Sequence, residues 1–305
     1  KFNQEQLYPF SAFFELLTAT LELINSTNAD VSQNEYLLFT LALLIMKSDP
    51  QVSNPFIPRL LNIAKASFEK NNPLTIETTA LMVGDIYKVF GLQLLDTIPE
   101  MIQLLYESLS SHLQNENIIA QILFATSRMI SYGFLDAYRN GDEESAERFE
   151  IARHLGEILT PAREELMTIA KNLIPFIPAF AKDQNGDYIF FSMLQFFSAM
   201  MDLYLYETSP NPDNTARHIP SPFIAQYQHT FIELIRVGKD NGLVSNNILS
   251  AFLNYLMSLI GQFDTYNNMN IQIHKDCFRY YLDEALHSSV TRNRAHKVKH
   301  IYDNA

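Results

Sequence analysis

Asp85 and Asp202 are the residues whose placement first calls for chemistry. Each interrupts a long apolar helical pattern, Val83-Gly84-Asp85-Ile86 and Met200-Met201-Asp202-Leu203. A carboxylate there costs free energy unless it reaches water or a hydrogen-bond donor. It either bonds to a neighbouring helix or faces a basic ligand from a concave surface. Glu77, Asp187 and Glu207 are further acids at the ends of such helices. Tyr204, Tyr206 and Tyr255 offer rings for stacking against Arg or Lys stems, or for core packing. Glu143, Glu144, Glu147 and Glu150 share one helical face, either solvated or a dock for a basic peptide. His296 and His300 stand four residues apart, a spacing that places two imidazoles on one face, but Lys297 and Lys299 beside them repel a cation. Cys277, next to Phe278, reads as a packing residue. The sequence has no GxxxxGK[ST] loop, GxGxxG, HExxH or nucleophile elbow. No catalytic residue, metal or cofactor is expected, and the chemistry on offer is charge recognition of polypeptide.

The elements that must position these residues are helices. Apolar residues recur every three or four positions, as in Phe56-Ile57-Leu60-Leu61-Ile63-Ala64, Met101-Ile102-Leu104-Leu105-Leu109 and Ile248-Leu249-Phe252-Leu253-Leu256. This is the period of amphipathic helices, and no sustained alternation of period two accompanies it. The pattern predicts helices over 9–26, 33–48, 55–70, 75–90, 99–113, 116–132, 143–159, 162–181, 187–207, 222–237, 243–262 and 273–287. Asn54-Pro55, Thr97-Ile98-Pro99, Thr160-Pro161 and Ser221-Pro222 place Pro in a first turn after a capping-type residue. Gly91, Gly133, Gly238 and Gly261 fall near helix ends, where a left-handed residue suits Gly.

The helices come in pairs. Pro58 and Pro99 are 41 residues apart, and Pro99 to Pro161 and Pro161 to Pro222 span 62 and 61. An insertion near 134–160 and a long connection at 208–221 account for the two larger intervals. A helix pair every forty-odd residues is the period of HEAT and armadillo solenoids. The fold class predicted is therefore all-α: an α-α superhelix of about six helix pairs over 1–291, with 292–305 as a basic tail or capping helix. The first pair, 9–48, is rich in apolar residues and shows no polar cap.

Composition narrows the function. The chain has 305 residues, 47% hydrophobic and 18% charged, enough apolar matter for a sizeable core. Its formal charge is −12, with −15 over 1–291 and +3 over 292–305. Phosphate neutralisation needs basic surface, so nucleic acid is a poor partner and basic polypeptide a better one. One cysteine excludes an internal disulfide framework. No apolar run approaches the ~20 residues of a membrane span. Residues 1–26 begin with Lys, carry Pro9 and show no separate apolar region and cleavage site, so no secretory signal is expected.

Several segments resemble the importin-β (karyopherin-β) family of nuclear transport receptors. Ala80-Leu81-Met82-Val83-Gly84-Asp85-Ile86-Tyr87-Lys88-Val89-Phe90-Gly91 looks like the second helix of one of its HEAT repeats. Ile98-Pro99-Glu100-Met101-Ile102-Gln103-Leu104-Leu105-Tyr106-Glu107-Ser108-Leu109 resembles the next first helix, and Asn115-Glu116 with Ala120-Gln121-Ile122-Leu123 the start of its partner. Thr291-Arg292-Asn293-Arg294-Ala295-His296-Lys297-Val298-Lys299 resembles the family's basic final helix. The chain does not begin with Met and looks like the C-terminal third or so of such a receptor. Two features depart from the family: there is no Trp, and Asn71-Asn72 and Glu77 stand where well-formed HEAT turns carry an Asp-then-Arg ladder.

The resemblance implies a non-enzymatic scaffold in cytoplasm and nucleus and at the nuclear pore. It would bind a basic cargo or importin-α-like adaptor on an acidic concave surface through Glu77, Asp85, Asp187, Asp202, Glu207, Tyr204 and Tyr255. It also implies grooves for the Phe-Gly repeats of nucleoporins, and a Ran-type small GTPase engaged mainly by a missing N-terminal part. The competing expectation is another HEAT scaffold, a phosphatase regulatory subunit or assembly platform, without a transport role. A helical enzyme with a site dispersed across repeats has no motif to support it.

Overall fold

The structure is a computed structural model that describes residues 4–27, 32–135, 157, 163–182, 186–208, 222–263 and 275–304. Every regular element among them is helical. The chain divides into two compact units, Lys1–Glu143 and Glu144–Ala305. The helix expected over 143–159, with its acidic face, and the connection at 208–221 lie almost wholly outside the described residues, as does most of the insertion at 134–160. No described helix is long and apolar enough to cross a membrane.

In the first unit, α1 (Gln4–Thr27) and α2 (Ser32–Lys47) form one pair. The second pair is α3 (Ile57–Lys70) and α4 (Pro73–Phe90), and the third is α5 (Ile98–Ser111) and α6 (Glu116–Arg128). First helices touch first helices, α1 on α3 and α3 on α5; second helices touch second helices, α2 on α4 and α4 on α6. Two layers result, in the like-on-like stacking of helical repeats.

The connections explain themselves locally. Between α3 and α4 only Asn71 and Asn72 intervene. Asn71 takes the left-handed conformation (φ 51°) that stops α3, and its N–H donates to the Phe68 carbonyl at 2.9 Å. Asn72 then caps α4, its side chain accepting from the Leu74 N–H at 3.0 Å, and Pro73 opens the helix. Asn115 caps α6 in the same way, accepting from the Ile118 N–H at 3.2 Å. Thr97 does not cap α5; its hydroxyl bonds instead to the Leu94 carbonyl and the Tyr87 hydroxyl.

The second unit repeats the scheme. A helical stretch at 163–173 runs through a tight turn at Ile174–Phe176 into the short helix Ile177–Phe180; we call the whole α7. It pairs with α8 (Gly186–Thr208); α9 (Pro222–Asp240) pairs with α10 (Asn246–Phe263), and α11 (Lys275–His287) with α12 (Arg292–Asn304). Here α8 stacks on α10, α10 on α12, and α9 on α11. The core is aromatic: Phe190, Phe197, Phe231, Phe252, Tyr255, Phe278 and Tyr281 are fully buried, each worth roughly 1.5–3 kcal/mol of transfer free energy. The hydroxyls of Ser198 and Ser258 share a 2.8 Å bond between α8 and α10.

Residues 292–304 form a helix with Ala295 and Val298 buried against α11 and α10. Arg292 turns back on α11 and donates to the Leu286 carbonyl at 3.0 Å, serving one of the carbonyls its last turn leaves open.

The glycines correct the expectation of left-handed helix ends. Only Asn71 and Gly242 have positive φ among the described residues. A Cβ on Gly91 would sit 2.5 Å from the Tyr132 carbonyl oxygen, and one on Gly238 would sit 2.2 Å from the Phe190 ring. These glycines permit close approach of neighbouring helices.

The outer side of the first pair stays apolar. On α1 Phe13, Leu16 and Leu23 are exposed, and on α2 Tyr36, Phe39 and Leu43. Thr20 and Thr40 continue these stripes with their hydroxyls turned onto the Leu16 and Tyr36 carbonyls.

Candidate functional site

The site grows from the burial of α4. Its partner α3 and the flanking α2 and α6 cover most of it, and twelve of its residues are buried. Besides Pro73 and Val89, what stays open is Leu74, Glu77, Leu81 and Lys88, the last three at spacings of three, seven and fourteen residues from Leu74 that share a face. The adjoining helices bring charges to the same strip. Glu35 opens α2 and Lys47 closes it, and Glu116 opens α6 and Arg128 closes it. Stacking therefore lines up acids at the starts of the second helices and cations at their ends.

At the acid end, Glu35 and Glu77 are both exposed. Loss of water around the Glu77 carboxyl, then the charge of Glu35, push it above its ordinary value. At the cation end, Lys88 is half-buried and its ammonium is pushed down, by desolvation and then by the charge of Arg128, with Asp85 pulling the other way and Lys47 adding a little. Among the described residues, none of Glu35, Glu77, Lys47 and Lys88 makes an ion pair.

Asp85 and Arg128 form the one buried pair of this strip. The Arg128 guanidinium donates to the Asp85 carboxylate, from α6 to α4, and also lies 3.9 Å over the Phe124 ring. Burial pushes the Asp85 carboxyl up, against the pull of Arg128 and of Lys88. Arg128 can reach because α4 presents Gly84 to α6: a Cβ there would meet Ala125 Cα and Arg128 Cδ, each at 3.3 Å. Beyond Arg128 the chain winds as a π-helix, Met129–Leu135, which brings Gly133 against Gly91 at the end of α4. An Asp–Arg rung between repeats thus exists, but on the second helices and not in the turn around Asn71-Asn72.

The predicted site residues separate into three groups. Glu77 alone is exposed on the strip. Asp85, on the same helix, is 6% exposed and committed to Arg128, so it faces a neighbouring helix and offers nothing to a ligand. Tyr255 is likewise a correction: it is fully buried, its ring meets Phe231 edge-on, and its hydroxyl donates to the Phe231 carbonyl at 2.7 Å. No face of that ring is left for stacking. Asp187 and Asp202 are half-buried on α8, a second-layer helix of the other unit, the former in the first turn. The side chains of Tyr204, Tyr206 and Glu207 lie outside the described residues. Cys277 is buried, and burial pushes its thiol up, as suits a packing residue.

Glu35, Lys47, Lys88 and Arg128 are the strip residues that the sequence reading passed over. A periodic signal was there to find. Glu35 and Glu77 are 42 residues apart, and Lys47, Lys88 and Arg128 follow at 41 and 40, the interval of the proline-marked repeats. Comparison of the chain with protein-family models finds no match, and comparison with curated proteins finds none either, so the functional reading rests on these helices and their charges.

Proposed function

We propose that the chain is a non-enzymatic protein-binding scaffold, the C-terminal part of an importin-β-like nuclear import receptor, whose second helices take a basic cargo or adaptor segment. The observation that carries this reading is the Glu35–Glu77 neighbourhood. Two exposed carboxylates from adjacent repeats feel each other's charge and make no ion pair among the described residues, and a Lys or Arg from a partner relieves their repulsion. The net charge of −12 steers a basic partner towards the chain, and several weak pairs then share the affinity. The resemblance to importin-β adds cytoplasmic and nuclear residence, nucleoporin Phe-Gly repeats as partners, and a Ran-type GTPase acting elsewhere in the receptor.

The test is binding of a fluorescent basic adaptor peptide at low and high salt. Affinity is expected to fall steeply with salt, and the Glu35→Gln, Glu77→Gln double variant to weaken the low-salt affinity at least fivefold. Salt-insensitive binding, or a double variant that binds like the parent, sinks the proposal. Recovery of a stable phosphatase or kinase subunit in place of adaptors or nucleoporins would favour a helical-repeat scaffold with no transport role.

A further inference from the structure

The cation end of the strip has no use in gripping a basic segment. Lys47 and Lys88 come from adjacent second helices, as Glu35 and Glu77 do, and like them make no ion pair among the described residues; Asp85, the carboxylate that draws Lys88, is bonded to Arg128. Behind them Arg128 is already satisfied by Asp85 and by the Phe124 ring, so it adds positive potential while leaving the lysines open. The same face therefore offers two docks of opposite sign. On α4 they are Glu77 and Lys88, eleven residues apart on one side of the helix, which at the usual rise is about 16 Å. Between them Leu81 is half-buried and apolar.

We infer that this face recognises a polypeptide segment of segregated charge, with Lys or Arg at one end docked between Glu35 and Glu77 and Asp or Glu about 16 Å away docked between Lys47 and Lys88. The basic half of this inference rests on the proposed function; the acidic half is new. A segment that meets both docks spans about eleven residues if helical or about five if extended, and Leu81 favours an apolar residue midway. Nucleic acid is a poor occupant, because its phosphates carry one sign only and would meet the carboxylates. The arrangement also confers direction: a segment that reverses its charge order places like charges together at both docks, which costs affinity and rejects it.

Three synthetic peptides test this against the intact chain by fluorescence anisotropy: a Lys block alone, a Glu block alone, and the two joined with a Leu midway. The joined peptide is expected to bind at least tenfold more tightly than the Lys block. The Lys47→Gln, Lys88→Gln double variant should abolish that advantage while the Lys block binds as before or better. Lys88→Arg should retain it, and an unchanged melting temperature shows that the fold persists. Equal binding of joined and Lys-only peptides overturns the inference, and if Glu35→Gln, Glu77→Gln still weakens both, the basic-segment reading survives that failure. Equal binding of joined and Glu-only peptides also overturns it, and removes the basic-segment reading as well.

Discussion

In the first-helix layer of the first unit, Arg59 reaches back to Glu15 at 2.8 Å and Glu22 at 2.6 Å on α1, while Lys65 reaches forward to Glu100 at 2.6 Å on α5. In the second-helix layer, which packs α4 on α2, Glu77 of α4 feels the charge of Glu35 of α2, and Lys88 of α4 that of Lys47. The same three repeats thus pair opposite charges on one side and like charges on the other. Helix dipoles account for part of the second pattern, since acids favour first turns and cations last turns. They do not account for the missing partners. Glu100 also sits in a first turn, and it is paired across the repeat boundary. The first layer is charged in the way that holds a stack together. The second is charged in a way that costs the stack a little and leaves four groups available to something else.

The largest effect should come from the one rung that breaks this rule. Asp85→Ala leaves Arg128, 8% exposed in the parent, with no carboxylate. Breaking a buried pair from one side costs about 3–5 kcal/mol, read as a fall in the urea midpoint. Asp85→Leu combined with Arg128→Met should recover most of that loss, because the charge is then gone from both sides. If Asp85→Ala alone is near neutral, the pair is solvated and the second layer holds no structural charge.

How much of this was legible in the sequence follows from which forces act locally. Helix ends were readable where one residue decides them. The Pro222 start follows from the fixed φ of proline, whereas α4, predicted at 75–90, begins two residues earlier at Pro73, after an Asn72 cap that the prediction did not use. Gly91 and Gly238 were misread because their reason is not local: the first makes room for the backbone at Tyr132, the second for the Phe190 ring. The site divides in the same way. Asp85 announced itself as a carboxylate in an apolar run, but whether it faced solvent or Arg128 depended on a residue 43 positions away. Tyr255 carried no mark separating a buried ring from a stacking one. Lys47 and Lys88, cations in last turns, carried no mark in the sequence, because only the stacking of α2 on α4 brings each within reach of the other's charge.

A smaller effect is expected in the first-helix layer. Arg59→Met removes two partly exposed pairs at once, and exposed pairs are worth little, so the loss should be about 1 kcal/mol and should shrink as salt is raised. Binding of the basic peptide should not change, since this layer lies on the other side of the stack. A loss of affinity on a par with the Glu35, Glu77 double variant would mean that the two layers do not divide structure from recognition.

The smallest effect has the most specific signature. Glu77→Gln should stabilise the chain slightly at neutral pH, because the amide carries no charge to desolvate and none to repel Glu35. The sign follows from linkage. The folded chain holds the Glu77 carboxyl above the value of 4.5 that it has when unfolded, so the native state takes up its proton first as pH falls. The ionised carboxylate therefore costs stability at pH values above its raised folded value. That cost fades as pH drops through the folded value towards 4.5, below which both states are neutral and the variant has no advantage. Thermal melts of parent and variant should thus differ near pH 7 and converge near pH 4. In a Glu35→Gln background the gap at neutral pH should narrow without closing, because loss of water around Glu77 is the larger cause and Glu35 the second. A Glu77→Gln variant less stable than the parent at pH 7, with that deficit closing on acidification, would mean that Glu77 is held by a cation, and the second layer would then be stitched like the first.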